Sequence, residues 1–73
     1  MNQYGQRIRE IRERRGISQV LLAEMLGVDP SHICRVERGK GDLSLRLLQE
    51  TAKALDATVS DLLDNTPAKA SGE

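Results

Sequence analysis

"GVDPSHICRVERGK", residues 27–40, holds a helix start, an inward stripe and a helix stop in close succession. Asp29 followed by Pro30 is a helix start: a carboxylate at the N-cap accepts an orphan backbone N–H, and proline at the first helical position loses no hydrogen bond. Ile33 and Val36, three apart, mark the inward side, and Gly39 supplies the left-handed residue that ends the helix. About one and a half turns of outer surface are then left to Ser31, His32, Cys34 and Arg35.

Working outward, Gly27 closes the preceding segment, and only Val28 separates it from Asp29, so two helices meet through a tight turn. The earlier helix opens at Ser18 as N-cap, with Ile17 before it and Leu22 four positions inside, the spacing of a hydrophobic staple. Leu22, Ala23 and Leu26 form its inner face. Upstream, "YGQRIREIRERR" (4–15) repeats Tyr4, Ile8, Ile11 and Arg15 at helical spacing and stops at Gly16. Downstream, Ser44 caps a helix with Leu45, Leu48, Ala52 and Leu55 in the three-four rhythm. Thr58 and Asp61 form the capping box of a last helix with Val59, Leu62 and Leu63 on one side. The expectation is an all-α, five-helix domain over residues 1–64, with a flexible tail from 65 to 73, "NTPAKASGE", which lacks periodicity. There is no internal repeat and no strand-like alternation.

Composition narrows the functions open to such a domain. The chain has 73 residues, one cysteine and one histidine. That excludes an internal disulfide and speaks against a structural zinc site, and no cofactor is expected. Tyr4 is the only aromatic residue, too few for the stacking platforms that bind single strands. With no glycine-rich phosphate loop and no paired acids, no catalytic constellation can be assembled, so an enzyme is not expected. No stretch approaches the roughly 18 apolar residues of a membrane span, and the charged first helix lacks the apolar centre of a signal peptide. A cytoplasmic protein is the expectation.

Net charge is zero, but its distribution is uneven. Residues 1–40 hold eight Arg/Lys against five Asp/Glu, a net of +3; residues 41–73 hold three against six, a net of −3. The first half suits a polyanion. If the helix from Ser18 crosses a DNA backbone while the next enters the major groove, the first residues of the latter meet base edges. Those are Pro30, Ser31 and Arg35, with His32 nearer the sugar-phosphate wall.

At this point the chain resembles the lambda-repressor/Cro-like (XRE) helix-turn-helix regulators over residues 6–64. The resemblance is carried by "RIREIRERRGISQVLLAEMLGV", by Ile33 and "RVERGK" at 35–40, and by "LSLRLLQETAKALDATVSDLL". It implies that the helix-turn-helix lies in the second and third helices. It further implies that Gln19 hydrogen-bonds a backbone phosphate, that Arg38 and Lys40 hold the same or the neighbouring strand, and that Ser31 and Arg35 read bases. Arg35 is the stronger reader, because a guanidinium fork matches guanine O6 and N7. The resemblance also implies a structural ion pair between Arg12 and Glu37.

Some positions carry two readings. Arg7, Arg9, Arg14 and Arg15 fit a solvated helix surface. Arg38 and Lys40 fit phosphate contacts or charges that complement a helix C-terminus. His32 has no second metal-type residue at helical spacing and reads as a surface residue rather than a ligand. Cys34 stands where the family often has a small hydroxyl residue; it is a packing residue or, near Arg35 and a helix N-terminus, a redox switch. Pro30, without an N–H, weakens one base contact, and Asp42 in "GKGDLS" trims phosphate affinity. Val20, Leu21 and Met25 replace the family's usual Glu and Lys; they form either a wider buried face or a surface for a protein partner.

The function expected from these residues is a sequence-specific double-stranded-DNA-binding regulator. It would act as a repressor by promoter occlusion, which needs no further domain, and as a homodimer on a near-palindromic operator through Leu47, Val59, Leu62 and Leu63, unless these are plain core. A restriction-modification controller or an antitoxin is the alternative within DNA binding. A protein-interaction module that does not read DNA is the alternative outside it.

Overall fold

The helical signals become five helices in the computed structural model, which describes residues 4–63. They are α1 (Gly5–Arg14), α2 (Gln19–Leu26), α3 (Pro30–Glu37), α4 (Leu45–Ala54) and α5 (Val59–Leu63). The fold is the all-α, five-helix architecture expected, with no strand among the described residues. The proposed tail, residues 65–73, lies outside them.

Helices α2 to α5 each start where a side chain satisfies a first-turn N–H group, whereas α1 has no side-chain cap at Tyr4. Ser18 Oγ accepts from Leu21 N at 3.0 Å, Asp29 Oδ1 from Ser31 N at 2.8 Å, and Ser44 Oγ from Leu47 N at 3.2 Å. At α5 the box is reciprocal: Thr58 N donates to Asp61 Oδ2, and Asp61 N donates to Thr58 Oγ1, both at 3.0 Å. The turn between α2 and α3 depends on Gly27, whose φ of +72° is the left-handed region where a side chain is strained. Val28 N donates to Ala23 O across that turn at 3.0 Å, and only three residues separate α2 from α3. After α4 the same role falls to Asp56, at φ +57°; aspartate is among the few non-glycine residues that visit this region.

The core is built from one stripe of each helix. Ile8 and Ile11 of α1, Leu22, Ala23 and Leu26 of α2, and Ile33 and Val36 of α3 are buried together. Leu48, Ala52, Leu55 and Leu62 close it from the C-terminal side. Helix α2 packs on α3 and α4, α1 packs on α3 and α5, and α4 packs on α5. The α2–α3 pair is thus held from behind by α1 and α4, which α5 braces in turn, and the outer side of α3 is left uncovered.

One sequence expectation is corrected, and readings left open at other positions are decided. Leu45 is 65% exposed and takes no part in the inward face of α4. Thr51 is buried instead, because its Oγ1 donates to Leu47 O at 2.7 Å and so enters the core without an unsatisfied hydroxyl. Val20, Leu21 and Met25 do not widen the buried face of α2: they are 55%, 44% and 48% exposed. Leu62, one of the residues offered for a dimer contact, is fully buried within this chain, since α5 is too short to bury both Leu62 and Leu63, and Leu63 takes the outer position.

Candidate nucleic-acid interface

Ser31 and Arg35 are one helical turn apart on α3, so they share a face, and both are exposed. Ile33 and Val36 anchor the opposite side in the core. An eight-residue helix is about 12 Å long, which fits the width of a DNA major groove of about 12 Å. Pro30, in the first turn, is exposed beside them, and His32 is half-buried at the edge of the face. Cys34 is a free, half-buried thiol.

Three exposed basic groups lie beside this face. Arg35, Arg38 and Lys40 are exposed and form no ion pair among the described residues. Arg7, Arg9 and Arg15 differ. Arg9 is paired with Glu13 at 3.3 Å, Arg7 with Glu10 at 3.3 Å and, through Nε, with Asp61 O at 3.2 Å. Arg15 Nη2 donates to Asp56 O at 3.1 Å. Of the exposed cations without an ion pair among the described residues, Arg35, Arg38 and Lys40 lie together in the last turn of α3 and the loop after it, while Arg14 and Lys53 lie on other helices.

Two contacts fix that end of the site. Arg12 Nε donates to Glu37 Oε2 at 2.7 Å and Nη2 donates to Glu37 Oε1 at 3.1 Å, while Nη1 donates to Ile17 O at 2.7 Å. Hydrogen bonding to Glu37 holds the Arg12 pKa above its ordinary value, with burial opposing and the Glu37 charge reinforcing it. Glu37 also accepts from Gln19 Nε2 at 3.0 Å. The Gln19 amide is thereby oriented from within the protein, with its second N–H available to a phosphate.

The second contact is one that sequence spacing did not reveal. Tyr4 Oη accepts from Leu43 N at 2.7 Å and donates to Asp42 Oδ1 at 3.3 Å. The single aromatic residue, placed by its spacing in an apolar stripe, thus anchors the loop that carries Lys40. No local pattern announces a pair 39 residues apart. A third feature, also unforeseen, lies at the other end of α3: Ser31 Oγ donates to Asp29 Oδ1 at 2.7 Å, so the N-cap carboxylate holds both the backbone and the side chain of Ser31. Those two bonds, side chain first, with help from the Arg35 charge, keep the Asp29 carboxyl below its usual pKa. Among the described residues no group of His, Cys, Asp or Glu is arranged to hold a metal ion.

A tight α2–α3 turn, an exposed short second helix and unpaired cations beyond it are the parts of a DNA-reading head. A family model described as helix-turn-helix matches residues 8–62. The chain belongs to the lambda-repressor-like (XRE-type) helix-turn-helix family. Its relatives include an uncharacterized helix-turn-helix transcriptional regulator of Archaeoglobus fulgidus, 41% identical over 56 residues, covering 77% of this chain and 80% of that protein. Among solved structures, the restriction-modification controller protein C.AhdI of Aeromonas hydrophila is 42% identical with a TM-score of 0.77, covering 82% of this chain and 91% of that one. The biofilm master regulator SinR, solved in complex with DNA, is 37% identical with a TM-score of 0.78, covering 84% and 98%. The chain spans less than two thirds of the length of most curated relatives it matches, from 14% to 80%. The chain thus carries the helix-turn-helix domain of this family.

Proposed function

We propose that this member of the family represses transcription by occupying promoter DNA as a homodimer on a near-palindromic operator. The observation that carries the reading is the exposed pair Ser31 and Arg35 on one face of α3, flanked by the unpaired Arg38 and Lys40. Arg35 reads a guanine through its fork, Ser31 meets a neighbouring base, and Pro30 contributes an apolar contact. Gln19, His32, Arg38 and Lys40 contact the backbone and set the register. A reader this small gains affinity and site length by pairing, which would put two copies of α3 about 34 Å apart. Leu63, exposed, with the half-buried Leu47 and Val59, is the apolar surface offered to the second copy. The reading assigns no catalytic role and places the protein in the cytoplasm, with the DNA. No helix among the described residues is long and apolar enough to cross a membrane.

A second reading is favoured by one comparison: a controller protein of a restriction-modification system is similar over nearly its whole length. In that role the same DNA reading would set the expression of a neighbouring restriction system rather than repress a distant promoter.

Affinity selection of genomic fragments by the purified protein at physiological salt, followed by sequencing, tests both. Enrichment of a near-palindrome with half-sites one turn apart supports the dimeric repressor. If the enriched sites lie upstream of restriction and modification genes, the controller reading replaces it, and a folded protein that enriches nothing defeats both.

A further inference from the structure

The hydroxyl of Ser31 is the one polar group on the reading face whose proton is already committed. At 2.7 Å from an ionised carboxylate oxygen, the only hydrogen between Ser31 Oγ and Asp29 Oδ1 is the serine's, so Ser31 donates and Asp29 accepts. The same Asp29 oxygen accepts from Ser31 N at 2.8 Å, which locks residue 31 against the N-cap from two sides. What the exposed Ser31 Oγ presents to the groove is therefore lone pairs. A free serine would donate or accept as the base required; this one accepts only.

We infer that Asp29 is a specificity-determining residue: by holding the Ser31 proton, it makes Ser31 select a base that offers an amino group, adenine N6 or cytosine N4, over guanine or thymine at that position. The major-groove edge carries the distinction. Adenine and cytosine present a donor there, whereas guanine O6 and N7 and thymine O4 are acceptors that would face the serine's lone pairs. Turning the hydroxyl outward to suit guanine or thymine would break a charge-assisted hydrogen bond, which is stronger than the neutral bond gained. The inference rests on the proposed reading head, in which Ser31 and Arg35 meet bases.

The experiment is selection of the purified full chain on a random-sequence duplex library at fixed salt, run in parallel with Ser31→Ala, Asp29→Gly and Arg35→Ala. Ser31→Ala keeps the Asp29 cap on the residue 31 N–H, and glycine at position 29 is a tolerated N-cap. Thermal unfolding of each variant verifies that α3 is retained. The wild-type protein is expected to show one position per half-site where adenine or cytosine is preferred roughly three- to tenfold, the worth of one net hydrogen bond. Ser31→Ala should erase that preference and leave the Arg35-dependent guanine, and Asp29→Gly should admit guanine and thymine at the same position. A Ser31-dependent position that favours guanine or thymine overturns the inference, and so does an Asp29→Gly variant with the wild-type preference. If Arg35→Ala alters one position and Ser31→Ala alters none, the reading head stands and the inference falls. If no sequence is selected, or Arg35→Ala alters nothing, both fall together.

Discussion

Arg12 and Glu37 close the α1–α3 contact with a two-pronged ion pair, Nε to Oε2 at 2.7 Å and Nη2 to Oε1 at 3.1 Å, between side chains 9% and 2% exposed. The pair satisfies a carboxylate at the C-terminal end of the reading helix, and through Gln19 it ties that end to the start of α2. Removing Arg12 alone leaves Glu37 buried with only the Gln19 amide. Arg12→Met should therefore destabilise the fold by about 3–5 kcal/mol, a large share of what a small domain has. The double variant Arg12→Met/Glu37→Leu should lose much less than either single change, because it removes both charges. Chemical denaturation of the four proteins of this cycle checks it; strictly additive losses would show that the pair is not coupled.

Arg35 and Lys40 should separate cleanly in binding, since one faces base edges in the proposed complex and the other a phosphate. Arg35→Ala should cost about 1–3 kcal/mol on the preferred operator and much less on random DNA, relaxing discrimination at one base pair per half-site. Lys40→Ala should weaken all duplexes about equally and lower the log-log salt slope by about 0.9 per site occupied. Titrations at several salt concentrations give both quantities. A Lys40→Ala variant with altered base preference would move the reading surface into the loop.

How much of this was legible in the sequence can be seen residue by residue. Caps and stops are local chemistry, and Ser18, Asp29, Ser44 and the Thr58/Asp61 box sit where their spacing put them. The phase of α4 was not so readable. Leu45, Leu47 and Leu48 crowd one turn, so periodicity cannot choose among them, and the buried Thr51 is disguised by a hydroxyl whose partner, Leu47 O, lies within the helix itself. Leu43 is buried outside any helix, where no period exists to mark it. At the site, exposure of Ser31 and Arg35 followed from the inward positions of Ile33 and Val36. The Tyr4 anchor and the Gln19–Glu37 bond join residues 39 and 18 apart and depend on how the helices pack.

Leu62 and Leu63 are neighbours with opposite surroundings, one fully buried and one 47% exposed. Leu62→Ala should cost about 2–5 kcal/mol of stability by opening a cavity under α5. Leu63→Ser should leave the unfolding midpoint nearly unchanged and weaken self-association if the second copy docks on α5. Sedimentation of both variants, with thermal unfolding alongside, distinguishes the core from the dimer surface. A fully associated Leu63→Ser protein would place the interface elsewhere.

Acid should loosen the reading helix through Asp29. The Ser31 hydroxyl and Ser31 N–H hold its carboxyl below the ordinary value of 3.8, aided by the charge of Arg35. The folded state thus binds fewer protons at this site than the unfolded chain in the interval between the two pKa values. Stability from the cap is fully present above about pH 4 and drains away as pH falls through the lowered folded-state pKa. Asp29→Asn keeps an oxygen that accepts the same two hydrogen bonds but carries no proton to titrate. Across a series from neutral pH into strong acid, the unfolding midpoint of the wild type should fall more steeply than that of Asp29→Asn, and the gap should open only below about pH 4, where the linkage operates. Because every other carboxylate is common to the two proteins, their difference isolates residue 29. Parallel curves throughout would mean that the Asp29 cap contributes nothing that depends on its charge, and a gap opening near neutrality would assign the effect to another group.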